Sequence, residues 1–232
     1  MSAIAIIPAR GGSKRIPRKN VKSFMGKPII AYVIETALAS GCFEEVMVST
    51  DDEEIADISR SFGATIPFMR SADNSNDQAI TLNVLKEVIG EYQKQQRVFE
   101  QLCCIYPTAV LSRAESLISG QTKLLSDPGA ACAFPVVQYS YPIQRALYEA
   151  NGRVHMFQPE HGNTRSQDLQ KSYHDAGQWY WMRTAAIFEP GFTIIGPASM
   201  PVIVDEMEVQ DIDNETDWRM AELKYGLRVG AI

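Results

Sequence analysis

Short apolar runs alternating with longer segments of helical period leave few architectures open to this chain. Ile4–Ile7 is continuously apolar, the pattern of a strand buried on both faces. A glycine-containing basic loop follows. Pro28–Ser40 carries apolar residues at helical intervals and stops at Gly41, a residue suited to a helix C-cap. Glu45–Thr50 reads as a second strand and Asp52–Phe62 as a helix ended by Gly63, with Thr65–Met69 a short strand beyond it. Thr81–Gln96 reads as a long helix, Leu102–Tyr106 as a strand halted by Pro107, Arg113–Ser126 as a helix and Ala130–Val136 as a strand. Further on, Gln178–Glu189 and Val202–Asp205 are strand-like and Thr216–Leu227 is helical. This order predicts parallel crossover units in a three-layer α/β/α sheet. Ligands of such sheets bind at the carboxyl ends of the strands, so the loops after Ile7, Thr50 and Tyr106 are where chemistry is expected.

The stretch from Gln138 to Gly177 breaks the pattern. It is rich in Tyr, Gln, Asn and His and carries turn signals at Asn151-Gly152 and His161-Gly162, which suggests a lid, an arm or a hairpin. At roughly 150 residues per domain, 232 residues predict a single domain, 1–232, with an insertion at 138–177.

Charge is distributed unevenly. The net charge is −6. Yet Arg10, Lys14, Arg15, Arg18, Lys19, Lys22 and Lys27 all precede Glu35, the first acidic residue. A basic island on an acidic chain suits a localised anion better than a long polyanion; a nucleic-acid patch is the alternative. Neither Cys42, Cys103, Cys104 and Cys132 nor His155, His161 and His174 show metal-ligand spacing, so neither zinc nor a disulfide framework is expected. Reduced thiols fit the cytoplasm. Ala3–Ile7 is too short to cross a bilayer and lacks the flanks of a signal peptide. No membrane partner is expected.

Four constellations carry chemical meaning. In Pro8-Ala9-Arg10-Gly11-Gly12-Ser13-Lys14, continuing to Lys19-Asn20, two glycines follow a strand. Backbone N–H groups there can turn towards an anion while a phosphate approaches closely. It is neither a Walker loop nor a dinucleotide fingerprint, and a tight turn with solvated lysines is the alternative. Asp211 and Asp213, at i and i+2 on an extended segment, point to one face. Adjacent like charges are unfavourable unless a cation or hydrogen bonds offset them, and Mg²⁺ favours one or two carboxylates with phosphate oxygens and waters. The alternative is that Asp213 or Asn214 caps the last helix. Asp51-Asp52-Glu53-Glu54 has capping-box spacing from Thr50 and Asp51 and complements a helix dipole, so no catalysis is assigned to it. Arg70 to Asp77 is a polar loop, either nucleotide-facing or solvated with Asp77 as a cap.

Ile6-Ile7-Pro8-Ala9-Arg10-Gly11-Gly12-Ser13-Lys14 with Lys19-Asn20, then Val48-Ser49-Thr50-Asp51-Asp52, Tyr106-Pro107-Thr108 and Asp211-Ile212-Asp213, resemble in order the motifs of the CMP-sialic acid synthetase (nonulosonate cytidylyltransferase) family. The resemblance implies a Rossmann-like nucleotidyltransferase fold and a reaction that joins CTP to a nonulosonic acid with release of diphosphate. By it, Ala9, Arg10, Gly11, Gly12, Ser13, Lys14, Lys19, Asn20, Arg70, Asp77 and Thr81 face the nucleotide. Arg10, Lys19 and Asp211 act in catalysis, and Asp211 and Asp213 hold Mg²⁺. Tyr106 and Gln178-Trp179-Tyr180-Trp181 depart from the N-acetylneuraminate enzymes and look like the branch acting on pseudaminic acid, where an aromatic wall could pack against the sugar; the alternative is that these aromatics are core, which is the expectation for Trp181. Tyr106, Thr108, Arg165, Gln167, Asp168 and Gln178 are the expected sugar contacts. The insertion is expected to form a homodimer arm.

Overall fold

A computed structural model describes residues 2–13, 15–76 and 79–231. In chain order its elements are β1 (Ala3–Pro8), β2 (Ser23–Phe24), β3 (Lys27–Pro28), α1 (Ile29–Ser40), β4 (Glu45–Ser49), α2 (Glu53–Ser61), α3 (Thr81–Lys94), β5 (Gln101–Ile105) and α4 (Ala114–Ser126). There follow β6 (Cys132–Gln138), β7 (Leu147–Ala150), β8 (Arg153–Met156), β9 (Tyr173–Asp175), β10 (Trp179–Arg183), β11 (Ser199–Ile203) and α5 (Glu215–Val229). The main sheet runs β11-β6-β10-β5-β1-β4, with β9 also paired to β6.

Period-two alternation divides the strands between two cores. Ala3, Ala5 and Ile7 of β1 face α1, α2 and α4. Ile4 and Ile6 face Leu85, Val88, Ile89 and Tyr92 of α3. Three layers result, as the alternation of elements predicted. Local signals end the helices where expected: Gly41 takes φ 64° after α1, a left-handed position that glycine tolerates. Asp52 caps α2 by accepting from the Ile55 N–H at 3.0 Å, so the cap is neither Thr50 nor Asp51.

Three expectations need correction. The sheet is mixed, since β10 runs antiparallel to both β5 and β6. Hydrophobic period carries no information on strand direction, so the sequence could not reveal it. Thr65–Met69 contributes only an isolated bridge, Met47 to Thr65. Gln178–Glu189 holds a strand only over β10, because the chain turns into a 3₁₀ helix at Ala186–Phe188.

Between β6 and β9 the chain forms the β7–β8 hairpin, paired from Leu147↔Met156 to Ala150↔Arg153. Asn151 and Gly152 at its tip take φ 54° and 70°, the positive pair that a type I′ turn requires. A third apolar cluster lies at the carboxyl edge of the sheet. Ile16, Phe24, Tyr32, Val110, Leu111, Ile212 and Trp218 pack there, bringing together the loop after β1, the loop after β5 and the start of α5. Among the described residues no helix is long and apolar enough to cross a membrane.

Candidate active site

The β1 exit loop is pinned from two sides. Ala9 is buried and extends the ladder by donating to Ser49 O at 2.9 Å. The Gly11 N–H donates to Asp51 Oδ1 at 3.0 Å, and Ser13 N donates to Gly11 O at 3.0 Å. In this conformation those two N–H groups therefore serve the protein itself. A Cβ on Gly11 would lie 2.6 Å from Asp52 Oδ2, whereas one on Gly12 would meet nothing within 4 Å. Only the first glycine is required by packing. Asn20, buried, donates from Nδ2 to Arg10 O at 3.0 Å, holding the loop where Arg10 faces the cleft. Lys14 and Asp77, both expected at the nucleotide, lie outside the described residues.

Arg10, Ser13, Arg15, Lys19, Asn20, Pro107 and Thr108 line one cleft of 380 Å³. Gly11, Gly12, Ser75 and Asn76 line an adjoining hollow that shares Arg10 and Ser13 with it. The two distant motifs meet at this cleft. Lys19 Nζ donates to Ile212 O at 2.6 Å, and Arg15 Nη1 pairs with Asp213 Oδ2 at 2.5 Å. Burial pushes the Lys19 ammonium below its ordinary range, while Asp213 and Asp211 oppose that shift. Partial desolvation and the like charge of Asp213 push the Asp211 carboxyl up. Asn214, not Asp213, caps α5, accepting from Thr216 and Asp217 N–H groups in a capping box. Asp213 is thus left to face Arg15.

That carboxylate pair suits Mg²⁺. Its donors are hard oxygens, and the charge of Asp213 disfavours ionisation of Asp211, a repulsion that a divalent cation would relieve. Among the described residues no group of three or more His, Cys, Asp or Glu side chains gathers around a metal position. The protein would give two ligands and leave the rest to phosphate and water, the usual Mg²⁺ division.

Other expected residues lie near or away from this cleft. Arg70 is buried at the end of β4, its Nε donating to Ser49 Oγ at 3.0 Å and its Nη2 to Ser49 O. Thr81 opens α3 and lies 3.3 Å, oxygen to oxygen, from the Tyr106 hydroxyl. Thr108 lines the cleft. Gln178 does not: it is buried and donates from Nε2 to Glu208 O at 2.6 Å. The expected aromatic wall is also core. Trp179 and Trp181 are fully buried against α4, and Tyr180 packs on the opposite face with its hydroxyl 2.7 Å from Asp175 Oδ2. Strand alternation directs the tryptophans into the helical layer, as expected for Trp181. Arg165, Gln167 and Asp168 are exposed on the insertion. Gln167 borders a separate cleft with Tyr139, Ser140 and Lys171.

Sequence reasoning missed three contributors. Arg15 pairs with Asp213. Arg18, at φ 55°, ties the loop to Asp52 and Glu54. Asp51 takes the Gly11 N–H. The basic island and the acidic turn were visible, but spacing cannot show which distant charges meet.

A three-layer sheet whose carboxyl edge gathers a basic glycine loop and a carboxylate pair defines a nucleotidyltransferase. The chain belongs to the cytidylyltransferase family, whose sequence model matches residues 4–188. It is 42% identical over 226 residues to the pseudaminic acid cytidylyltransferase of Campylobacter jejuni, covering 97% of each chain. The N-acylneuraminate cytidylyltransferase A of Danio rerio is 32% identical over 97% of this chain and 51% of its own length. A solved CMP:2-keto-3-deoxy-manno-octonic acid synthetase complexed with CTP shares the fold, with TM-score 0.71 at 18% identity over 98% of this chain and 100% of that one.

Proposed function

We propose that this cytidylyltransferase activates a nonulosonic acid, converting CTP and pseudaminic acid into CMP-pseudaminic acid and diphosphate. The observation that carries the reading is the meeting of the β1 loop with the 211–213 segment at one cleft, through Lys19 and Ile212 O. The high identity to a pseudaminic acid cytidylyltransferase supports the choice of sugar.

In this reading the anomeric hydroxyl oxygen of the sugar bonds to the α-phosphorus as the bond to the β-phosphate breaks. Such a reaction relies on positioning and charge neutralisation. Arg10 and Lys19 hold the phosphates and offset charge on the departing diphosphate. Asp211 and Asp213 would hold Mg²⁺, which when bound neutralises phosphate charge and lowers the pKa of a ligated hydroxyl. Arg70 shapes the nucleotide side of the cleft through Ser49, and Thr81 and Tyr106 border it. Thr108 faces the sugar, while Arg165, Gln167 and Asp168 reach it from the insertion of a second copy.

A homodimer is part of this proposal. Leu147, Val154 and Phe157 on the hairpin are 59%, 68% and 65% exposed, an apolar group of the kind that marks interaction surfaces. CTP as substrate and four free thiols support a cytoplasmic location.

The test is diphosphate release from CTP and Mg²⁺ with pseudaminate, legionaminate, N-acetylneuraminate and 3-deoxy-octulosonate in parallel. Pseudaminate is expected to give the highest kcat/KM. Release from none of the four would overturn the activity, and a preference for another sugar would overturn the acceptor. Light scattering that returned a monomer mass would remove the dimer.

A further inference from the structure

We propose that Arg15 is a resident stand-in for the divalent cation: it occupies the Asp213 carboxylate while the nucleotide is absent and gives it up when metal and triphosphate arrive together. The inference rests on the reading of Asp211 and Asp213 as the metal pair and adds a residue that neither motif nor spacing had singled out.

Three observations carry it. The guanidinium is already on the carboxylate, Nη1 to Oδ2 at 2.5 Å. It lines the same cleft as Arg10, Lys19 and Thr108, so an anion placed there lies within its reach. Asp213 has no capping duty, since Asn214 performs it. Asp213 carries one charge that needs a partner in the free enzyme and would meet a better one in the loaded enzyme.

The strength of the pair suits a stand-in. Arg15 is 69% exposed and Asp213 40% in their side chains, and ion pairs so exposed add little to stability. A doubly charged ion outcompetes a single guanidinium at a carboxylate, because Coulomb attraction scales with charge. Without nucleotide the arriving metal must displace Arg15 and then sit beside its positive charge. With nucleotide the released guanidinium gains a phosphate partner, for which its planar fork is suited. Metal and CTP should therefore bind with positive coupling, each improving the affinity of the other by the same factor.

The experiment measures Mn²⁺ binding to the intact protein by electron paramagnetic resonance, with and without CTP and with no sugar present. Wild type is expected to bind Mn²⁺ weakly alone and more tightly with CTP. Arg15→Gln should bind Mn²⁺ alone about fivefold more tightly than wild type, and its coupling to CTP should shrink. Arg15→Lys, which keeps the charge but not the fork, should stay near wild type for Mn²⁺ alone and lose part of the coupling to CTP. Lys22→Gln removes a positive charge that pairs instead with Glu215 and should gain less than about twofold, as screening predicts. Adding Asp213→Asn to Arg15→Gln should abolish the gain. An unchanged affinity in Arg15→Gln, an equal gain in Lys22→Gln, or a gain that survives Asp213→Asn would each overturn the stand-in role. The metal reading fails separately: then Mn²⁺ binding in the presence of CTP would not depend on Asp211 or Asp213. Circular dichroism and urea midpoints confirm that each variant folds.

Discussion

Lys19 links the two ends of the cleft. Its ammonium reaches Ile212 O and lies close enough to both aspartates to feel their charge. Lys19→Ala is expected to lower kcat at least about tenfold, equivalent to about 1.4 kcal/mol of transition-state stabilisation, and single-turnover diphosphate release measures it. Full activity would make Lys19 a structural tie only. Gly11→Ala tests the loop itself. Its methyl group would enter the space of Asp52 Oδ2, so KM for CTP should rise and the urea midpoint should fall, whereas Gly12→Ala, with no protein atom within 4 Å of the added methyl, should leave the urea midpoint near wild type. At this scale the sequence was readable where residue type alone decided the matter: the basic loop and the paired carboxylates it singled out meet at one cleft. It was unreadable where orientation decided. Gln178 is polar enough to bind a sugar, yet its amide is committed to Glu208 O.

Among the elements, α4 sits close on β10 with no room for an added side chain at Gly120. A Cβ on Gly120 would lie 2.5 Å from the Trp179 ring and 2.7 Å from Trp181 Cδ1. Alanine is the better helix former by about 1 kcal/mol, but overpacking a filled core costs about 1–3 kcal/mol. Gly120→Ala is therefore expected to lower the urea midpoint, and a raised midpoint would mean that α4 stands further from the sheet. The same contact decides between the two readings of the aromatic segment: a glycine one layer away creates the space that the tryptophans fill as core, as expected for Trp181. Strand and helix positions were recoverable because burial imposes periods of 2 and 3.6. The antiparallel course of β10 was not, since a two-sided buried strand has the same pattern in either direction.

Across the whole molecule, acid sensitivity follows from buried carboxylates. Burial alone would raise Glu45, but hydrogen bonds from Thr65, Tyr92 and Arg97 outweigh it and hold the carboxyl below its usual range. A depressed folded-state pKa contributes stability that is present above the unfolded value and lost as pH falls through the folded one. Glu45→Gln should cost about 1.5–3 kcal/mol at neutral pH, the range for hydrogen bonds to a charged group. The gap from wild type should close as pH drops below the ordinary carboxylate range. Urea titrations at a series of pH values check this, and a gap that widened in acid would contradict the sign.

The apolar cluster that seats Ile212 and Trp218 against Phe24 and Tyr32 also bears on the order of events during synthesis. Every strand of the sheet, the last being Ser199–Ile203, leaves the ribosome before Asp211 and Asp213 do. The sheet thus emerges before either acidic side chain is free to reach it. On the proposed metal reading, competence to consume CTP would arrive only with the docking of α5, which seats the 211–213 segment at the cleft.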